Sequence, residues 1–391
     1  MSESKYVLYV ITLGMLCAFA PMCTDMYLPA LPSVMVDFNT STSLVQISLA
    51  SSFLGLATGQ ILIGPISDVY GRLKPLFISL LLFIISSFLC SIAEDIYSFI
   101  ACRVFQGLSA SGGIVLTRSI ACDRFKGNEL TSFMAFLMSI NSIAPILAPI
   151  IGSTIITFAS WRVIFIVLTV WGVLLILSSK CFVKESLAKE HRASSIIQSL
   201  SKMKDDIFNL KFMLSSLSLS FVMGGFFSYL AASPFVFEKI YGFTPFEYSL
   251  SFGFISILMS CTGFLAGRIA KRIGELKSLY FAFTLLFSAG LMMLVEAVYV
   301  PKSFIPVLLT MAIFCSMMCL SQAAGFGLVM ECKKGGAGAA SGIFGVMHFL
   351  AGFIATPLAG IMGEYSMIPL AVSMLVSAVL ATVFMKISRS L

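Results

Sequence analysis

Gly64–Lys74 reads GPISDVYGRLK, eleven residues with two glycines, a proline and three charges between two long apolar runs. A link this short and this rich in turn formers suits two membrane-crossing helices that turn sharply at the surface and stay in contact. The stretch recurs in weaker form. A shift of 203 positions places Gly64 on Gly267, Asp68 on Lys271, Gly71 on Gly274, Arg72 on Glu275 and Lys74 on Lys277. Both glycines and the last lysine match, while the acid and the base exchange places. A half-length repeat built on one turn predicts two parallel copies of a multi-helix unit.

Composition agrees. Hydrophobic residues make up 59% of the 391, charged residues 11%, and mean hydropathy is +1.01. A soluble domain carries about 25% charged residues, so the chain reads as a polytopic membrane protein. The net charge of +7 needs no nucleic acid to explain it if basic residues collect on one side of a bilayer. The ten cysteines are scattered, with no CxxC and no Cys/His cluster, and read as small packing residues. No metal site is expected.

A span needs about 20 mostly apolar residues. Twelve are predicted: 6–28, 43–65, 74–93, 97–119, 130–157, 162–183, 211–236, 246–270, 277–300, 303–330, 336–362 and 366–387. The first has a second reading as a signal peptide, with Lys5 before the apolar run and Ala18-Phe19-Ala20 as a cleavage site. With the N-terminus inside, cytoplasmic segments collect 21 of the 25 Lys and Arg. Outside segments hold only Arg162, Lys239 and Lys302, and Arg103 falls within a span. That asymmetry supports the count and puts both termini in the cytoplasm. The expectation is an all-α integral membrane fold of two six-helix bundles, residues 1–183 and 211–391. Residues 184–210 form a charged cytoplasmic linker between them.

Ionisable groups inside spans are expensive and are functional candidates by default. Asp25 sits in PMCTDMYLPALP, with Pro21, Pro29 and Pro32 around it. Prolines break the helix ladder, and such breaks are tolerated where they line a cavity. Desolvation there favours the neutral carboxyl, which suits a proton carrier; the alternative is an acid at the outer interface. Arg103 lies early in the fourth span, in RVFQGLSASGG. It stays charged in any surrounding and belongs either to a proton-coupling network with Gln106 or to the outer edge, reached by snorkelling. In the fifth span Pro145, Pro149 and Gly152 predict a kinked helix with a surface for a close neighbour, and Asn141 is its cavity-facing polar group. Other acids, Asp37, Asp123 and Glu296 among them, read as span-end or loop residues.

In the second half Ser228 falls at the position of Asp25, so proton chemistry is expected in the first half. Met223, Phe226, Phe227, Tyr229, Phe344 and His348 are candidates for an adaptable apolar substrate cavity. With 36 Phe and 22 Met in the chain, core or lipid contact competes with that role for each. GGAGAASGIFG at 335–345 lacks the GK[ST] and preceding strand of a phosphate loop and reads as tight helix packing.

Together these residues resemble the major facilitator superfamily. GPISDVYGRLK is similar to its signature loop between spans two and three, RVFQGLSAS to its span-four signature, and APILAPIIGS (144–153) to the span-five signature of its drug–proton antiporters. TDMYLPALP (24–32), the APxLAPxIG form and SWRVIF (160–165) resemble the Bcr/CflA group of bacterial drug-resistance exporters. The fifth-span motif departs from the wider form, with Ala144, Ala148 and Ser153 where glycines are expected.

The resemblance implies a proton-driven exporter in the bacterial inner (cytoplasmic) membrane. It would work as a monomer by alternating access, with the proton gradient as energy source and no cofactor. Its partners would be a small-molecule substrate, protons and the bilayer. Asp25 and Arg103 would couple protons, and Gly64, Asp68, Gly71 and Arg72 would form the gating loop. Small amphipathic drugs are the expected cargo; a metabolite such as a siderophore, another metallophore or an amino acid is the alternative. An enzyme is not expected, because the two histidines sit near no nucleophile or metal-ligand cluster.

Overall fold

In hydrocarbon every backbone N–H and C=O needs an internal partner, which leaves helices and closed barrels as the only spanning forms. The computed structural model describes residues 3–196, 204–334 and 337–391, and these contain helices and no strand. Eleven helices are long and apolar enough to cross a membrane, and a bent pair makes a twelfth. Spans 2–6 are Thr42–Tyr70, Leu73–Ser91, Ile96–Arg124, Gly127–Phe158 and Arg162–Phe182. Spans 7–12 are Leu210–Phe235, Pro245–Ile273, Glu275–Tyr299, Ile305–Glu331, Ala337–Leu358 and Ile368–Ser390. The expected start of span 11 at residue 336 and part of the linker, Lys202 included, lie outside the described residues.

Span 1 differs most from expectation. It does not stop at residue 28 but runs to Asp37, as Tyr6–Cys17 and Phe19–Asp37 bent by 42°. The cause is local. Pro21 cannot donate to the Cys17 carbonyl, and a 3₁₀ turn occupies Leu28–Ala30 around Pro29. Spans 2 and 4 also run farther than their apolar runs, to Tyr70 and Arg124, because polar residues extend a helix freely once it leaves hydrocarbon.

The chain forms two compact units, Met1–Tyr27 with Ser51–Ser201 and Leu28–Ala50 with Lys202–Leu391. These differ from the halves expected at 183 and 211. Residues 28–50 pack with the second unit, where the Gln46 amide donates to the Ala231 carbonyl at 3.1 Å. The start of the linker stays with the first.

The repeat is visible within each unit. Span 3 packs on spans 4 and 6 in the first, as span 9 packs on spans 10 and 12 in the second. Gly71 and Gly274 adopt φ of +88° and +89°, a left-handed conformation that favours glycine. Span 3 shows how such helices sort their faces. Ile78, Leu81, Ile85 and Phe88 are exposed at helical spacing, while Ser79, Phe83, Ser86 and Ser87 are buried. The aliphatic stripe suits lipid, and the small hydroxyls let neighbouring helices approach closely.

Candidate functional site

Two polar clusters in the first unit hold most of the residues singled out from sequence. The first surrounds the turn between spans 2 and 3. Arg72 Nη1 donates to Asp68 Oδ1 at 2.6 Å and to Ser67 Oγ at 2.7 Å, closing an i, i+4 pair at the end of span 2. Its Nε and Nη2 donate to the carboxylate of Asp123, at the end of span 4, at 2.9 and 3.4 Å. Arg72 thus ties three elements together. Burial weakens its hold on its proton, and Asp123 and Asp68 together reverse that, raising its pKa. Asp123 also accepts from Ser186 Oγ at 2.8 Å. Gly64 is less constrained: it lies within span 2, where a Cβ would touch only Val115 Cγ1 at 3.9 Å.

The start of the linker is part of this cluster. Glu185 accepts from the backbone amides of Arg72 at 2.9 Å, Leu73 at 3.2 Å, and Ser186 and Leu187 at 3.1 Å each. It thereby satisfies amides at the N-terminus of span 3 that lack helical partners. Burial pushes its carboxyl up, and the four amides more than reverse this, leaving it below the usual range. The Ala193 amide donates to the Asp68 carbonyl at 2.9 Å, and Arg124 Nη2 to the Lys184 carbonyl at 3.1 Å. A Cβ on Gly71 would lie 2.5 Å from Glu185 Oε2, so glycine serves this turn by its φ and by the room it leaves. Asp123 had been set aside as an ordinary span-end acid, and Glu185 lay in an unremarkable charged run. Only the Asp-Arg pair that ends span 4 hinted at the first.

The second cluster lies inside the spans. Arg103 is 0% exposed, which rules out snorkelling. Its Nη1 donates to the Cys23 carbonyl at 3.3 Å and to Gln106 Oε1, and its Nη2 to Ser52 Oγ at 3.3 Å. The guanidinium carbon lies 4.9 Å from the Tyr27 ring centroid and 5.6 Å from that of Phe165, within range for cation–π attraction. Gln106 is oriented in turn by donating to Ser87 Oγ at 2.7 Å. Arg103 and Gln106 are therefore in direct contact, with Ser52 and Ser87 added from spans 2 and 3.

Asp25 is 6% exposed and ends the short helix Phe19–Asp25 that follows the bend. Among the described residues its carboxylate has one hydrogen-bond partner, Thr24 Oγ1 at 2.8 Å. Asp25 and Arg103 do not pair directly. They share the Cys23–Asp25 turn, Arg103 through its backbone and Asp25 through its side chain. Span 5 closes on the same segment. Pro145 and Pro149 lie within its helix, and a Cβ on Gly152 would lie 2.0 Å from the Met26 carbonyl oxygen, so span 5 passes there only as glycine. Asn141 Nδ2 contacts Cys17 Sγ at 3.4 Å, just before the bend.

The remaining cavity candidates belong to the second unit, where the Phe226 ring lies 5.8 Å from that of Phe227 and 5.9 Å from that of Tyr229. Tyr229 is buried and stacked on Phe252, and Phe227 is buried beside Phe349. Met223 is half-buried on the same helix. Phe344 and His348 are adjacent, with ring centroids 4.0 Å apart. His348 also meets Gln322 of span 10 at 2.9 Å, a residue that sequence reasoning passed over. Ser228, at the position of Asp25, bonds Ser373 Oγ at 2.7 Å and the Ala355 carbonyl at 3.1 Å. A cavity of 670 Å³ in the first unit is lined by Tyr6, Val10, Phe125, Glu129, Ser132, Phe133 and Phe136, none of them an expected cavity residue.

Twelve spans built as a repeat, with fixed charges inside one bundle, define a polytopic transporter rather than an enzyme. The chain belongs to the Major Facilitator Superfamily, whose family model matches residues 13–356. It is 37% identical over 376 residues to the uncharacterized MFS-type transporter YdgK of Bacillus subtilis (strain 168), covering 95% of this chain and 92% of that one. It is 26% identical over 393 residues to the bicyclomycin resistance protein homolog of Haemophilus influenzae, covering 100% and 98%. The latter is consistent with the resemblance to the Bcr/CflA group read from residues 24–165. A solved bacterial homolog of the human lysosomal transporter Spinster shares the fold, with a TM-score of 0.76 at 13% identity over 100% of this chain and 98% of that one.

Proposed function

We propose that the chain is a proton-coupled antiporter. It exports small amphipathic drugs or toxic compounds across the cytoplasmic membrane by alternating access, with both termini in the cytoplasm and the chain working as a monomer. The observation that carries this reading is the Cys23–Asp25 segment. There a buried carboxylate with a single hydroxyl partner shares one turn with a fully buried arginine. A carboxyl in that setting gains a proton when sealed from water and loses it when water or a cation reaches it. The Bcr/CflA resemblance and the resistance name of the Haemophilus relative support drugs as the cargo. The loop of Asp68, Arg72 and Asp123 would serve as the gate, because breaking it frees a buried arginine.

The test is substrate-triggered proton movement in everted vesicles, with lipophilic cationic drugs, bicyclomycin and metallophores as challenges. Proton release on drug addition, lost in Asp25→Asn while drug binding persists, is the expected result. Release with metallophores alone would assign a metabolite exporter. Normal gradient-driven export by Asp25→Asn would remove the proton-carrier role.

A further inference from the structure

His348 lies in span 11, in the unit where no carboxylate occupies the position of Asp25. Its surroundings can be read donor by donor. Nδ1 lies 2.8 Å from the Phe344 carbonyl, which only accepts. It also lies 3.2 Å from Ser220 Oγ, whose proton is already given to the Ser216 carbonyl at 2.8 Å. Nδ1 must therefore carry a hydrogen. Nε2 lies 2.9 Å from Gln322 Oε1. The Gln322 amide is oriented by its other end, where Nε2 donates to the Leu219 carbonyl at 3.0 Å. Turning that amide over would face oxygen to oxygen at Leu219, so the mismatch would move rather than vanish. A neutral ring has one N–H and one lone pair, and it leaves a lone pair against Gln322. Only the ring with two protons satisfies every contact.

We propose that His348 is a proton-binding site of the second unit, its second ring proton held by Gln322. Span 7 supplies Ser220 and the Leu219 carbonyl, span 10 supplies Gln322, and span 11 supplies the Phe344 carbonyl. All four are neutral, so the proton is held by directed hydrogen bonds and not by a counter-ion. The titratable groups of the packed elements are few. Lys211 and Glu331 lie on spans 7 and 10, nine residues from Ser220 and Gln322, or about 14 Å along a helix. Tyr229 on span 7 is stacked on Phe252. Cys319 lies one turn from Gln322, with Cys315 beyond it. Span 12 has Lys386 and Arg389 near its end, and Asp206, in the short helix Lys204–Ile207 before span 7, accepts from the Lys334 amide at 2.8 Å, just ahead of span 11. Burial opposes a charged ring, so the proton stays only while spans 7, 10 and 11 keep these acceptors in place. Separating span 10 from span 11 would release it. This reading does not depend on Asp25, nor on what is exported.

The chain has two histidines, so His191→Gln leaves His348 as the only imidazole. Nitrogen-15 NMR of that variant, labelled at histidine and held in nanodiscs at pH 7, reads both ring nitrogens directly. Two protonated nitrogens are expected. Gln322→Leu in the same background should lose the Nε2 proton and keep that on Nδ1, while Gln322→Glu should keep both. A single ring proton with Gln322 present would overturn the proposal. So would two protons that persist in Gln322→Leu. Elution as a monodisperse peak checks that each variant is folded, and Gln322→Glu covers the case in which the leucine variant is not.

Discussion

Arg72 holds two carboxylates, and the structure says which one matters more. Asp68, inside the motif legible in sequence, is 40% exposed at its side chain. Asp123, outside it, is 17% exposed and takes two of the guanidinium's donors. An ion pair open to solvent is worth about 0.2–1 kcal/mol. A hydrogen bond to a charged group away from water is worth about 1.5–3 kcal/mol. The coupling of Arg72 to Asp123 should therefore be about 2 kcal/mol, and that to Asp68 below about 1 kcal/mol. Two double-mutant cycles, Arg72→Gln with Asp123→Asn and Arg72→Gln with Asp68→Asn, separate the terms. The readout is built in. Both tryptophans, Trp161 and Trp171, lie in the first unit, so their fluorescence during detergent-driven unfolding follows that unit. A coupling to Asp68 that equals or exceeds the coupling to Asp123 would refute the reasoning.

Three further outcomes are expected. Arg103→Ala leaves the Cys23 carbonyl, Ser52 and Gln106 without their shared donor, and should cost about 1–3 kcal/mol of stability for each group left unsatisfied; Arg103→Lys, with one compact donor group, should recover only part of it in the same fluorescence assay. Gly274→Ala meets only backbone strain, since nothing lies within 4 Å of its Cβ, and should cost about 1–3 kcal/mol; Gly71→Ala should cost more because it also displaces Glu185, a difference read by thermal melting of the two variants. The Glu185 carboxyl is held low, so its docking is fully present above the ordinary glutamate range and lost as pH falls through the lowered value. Hydrogen exchange at the Arg72 and Leu73 amides should stay slow from neutral pH down to that point. In Glu185→Gln it should be faster throughout.

The spans were legible because hydrocarbon sets a length and a polarity that a single sequence displays. The clustering of basic residues gave the count a check of its own, independent of hydropathy. Arg103 was legible for the complementary reason: a permanent charge within an apolar run has to be accommodated somewhere. What sequence could not display were partners brought together by packing. Asp123 is 51 residues from Arg72 and Glu185 is 113 residues from it, and neither spacing has a periodicity that would betray it. The bend of span 1 was signalled by three prolines, but its continuation to Asp37 was hidden because Pro29 and Pro32 read as an end. Gln322 was overlooked because one amide in a Met- and Cys-rich helix resembles ordinary packing until its neighbours are known.

The two turn glycines share the same positive φ to within a degree, although their surroundings have parted. At the first, Arg72 reaches Asp123 on span 4; at the second, Glu275 faces Gly327 on the corresponding span 10. Among the described residues neither Lys271 nor Glu275 forms an ion pair. The corner is thus common to both halves of the repeat, and the charged clasp belongs to one of them alone. The second corner is accordingly open to redesign, and grafting an arginine at Glu275 with an acid at Phe326, the positional counterpart of Asp123, would ask whether a clasp can be installed where the second half has only the bend.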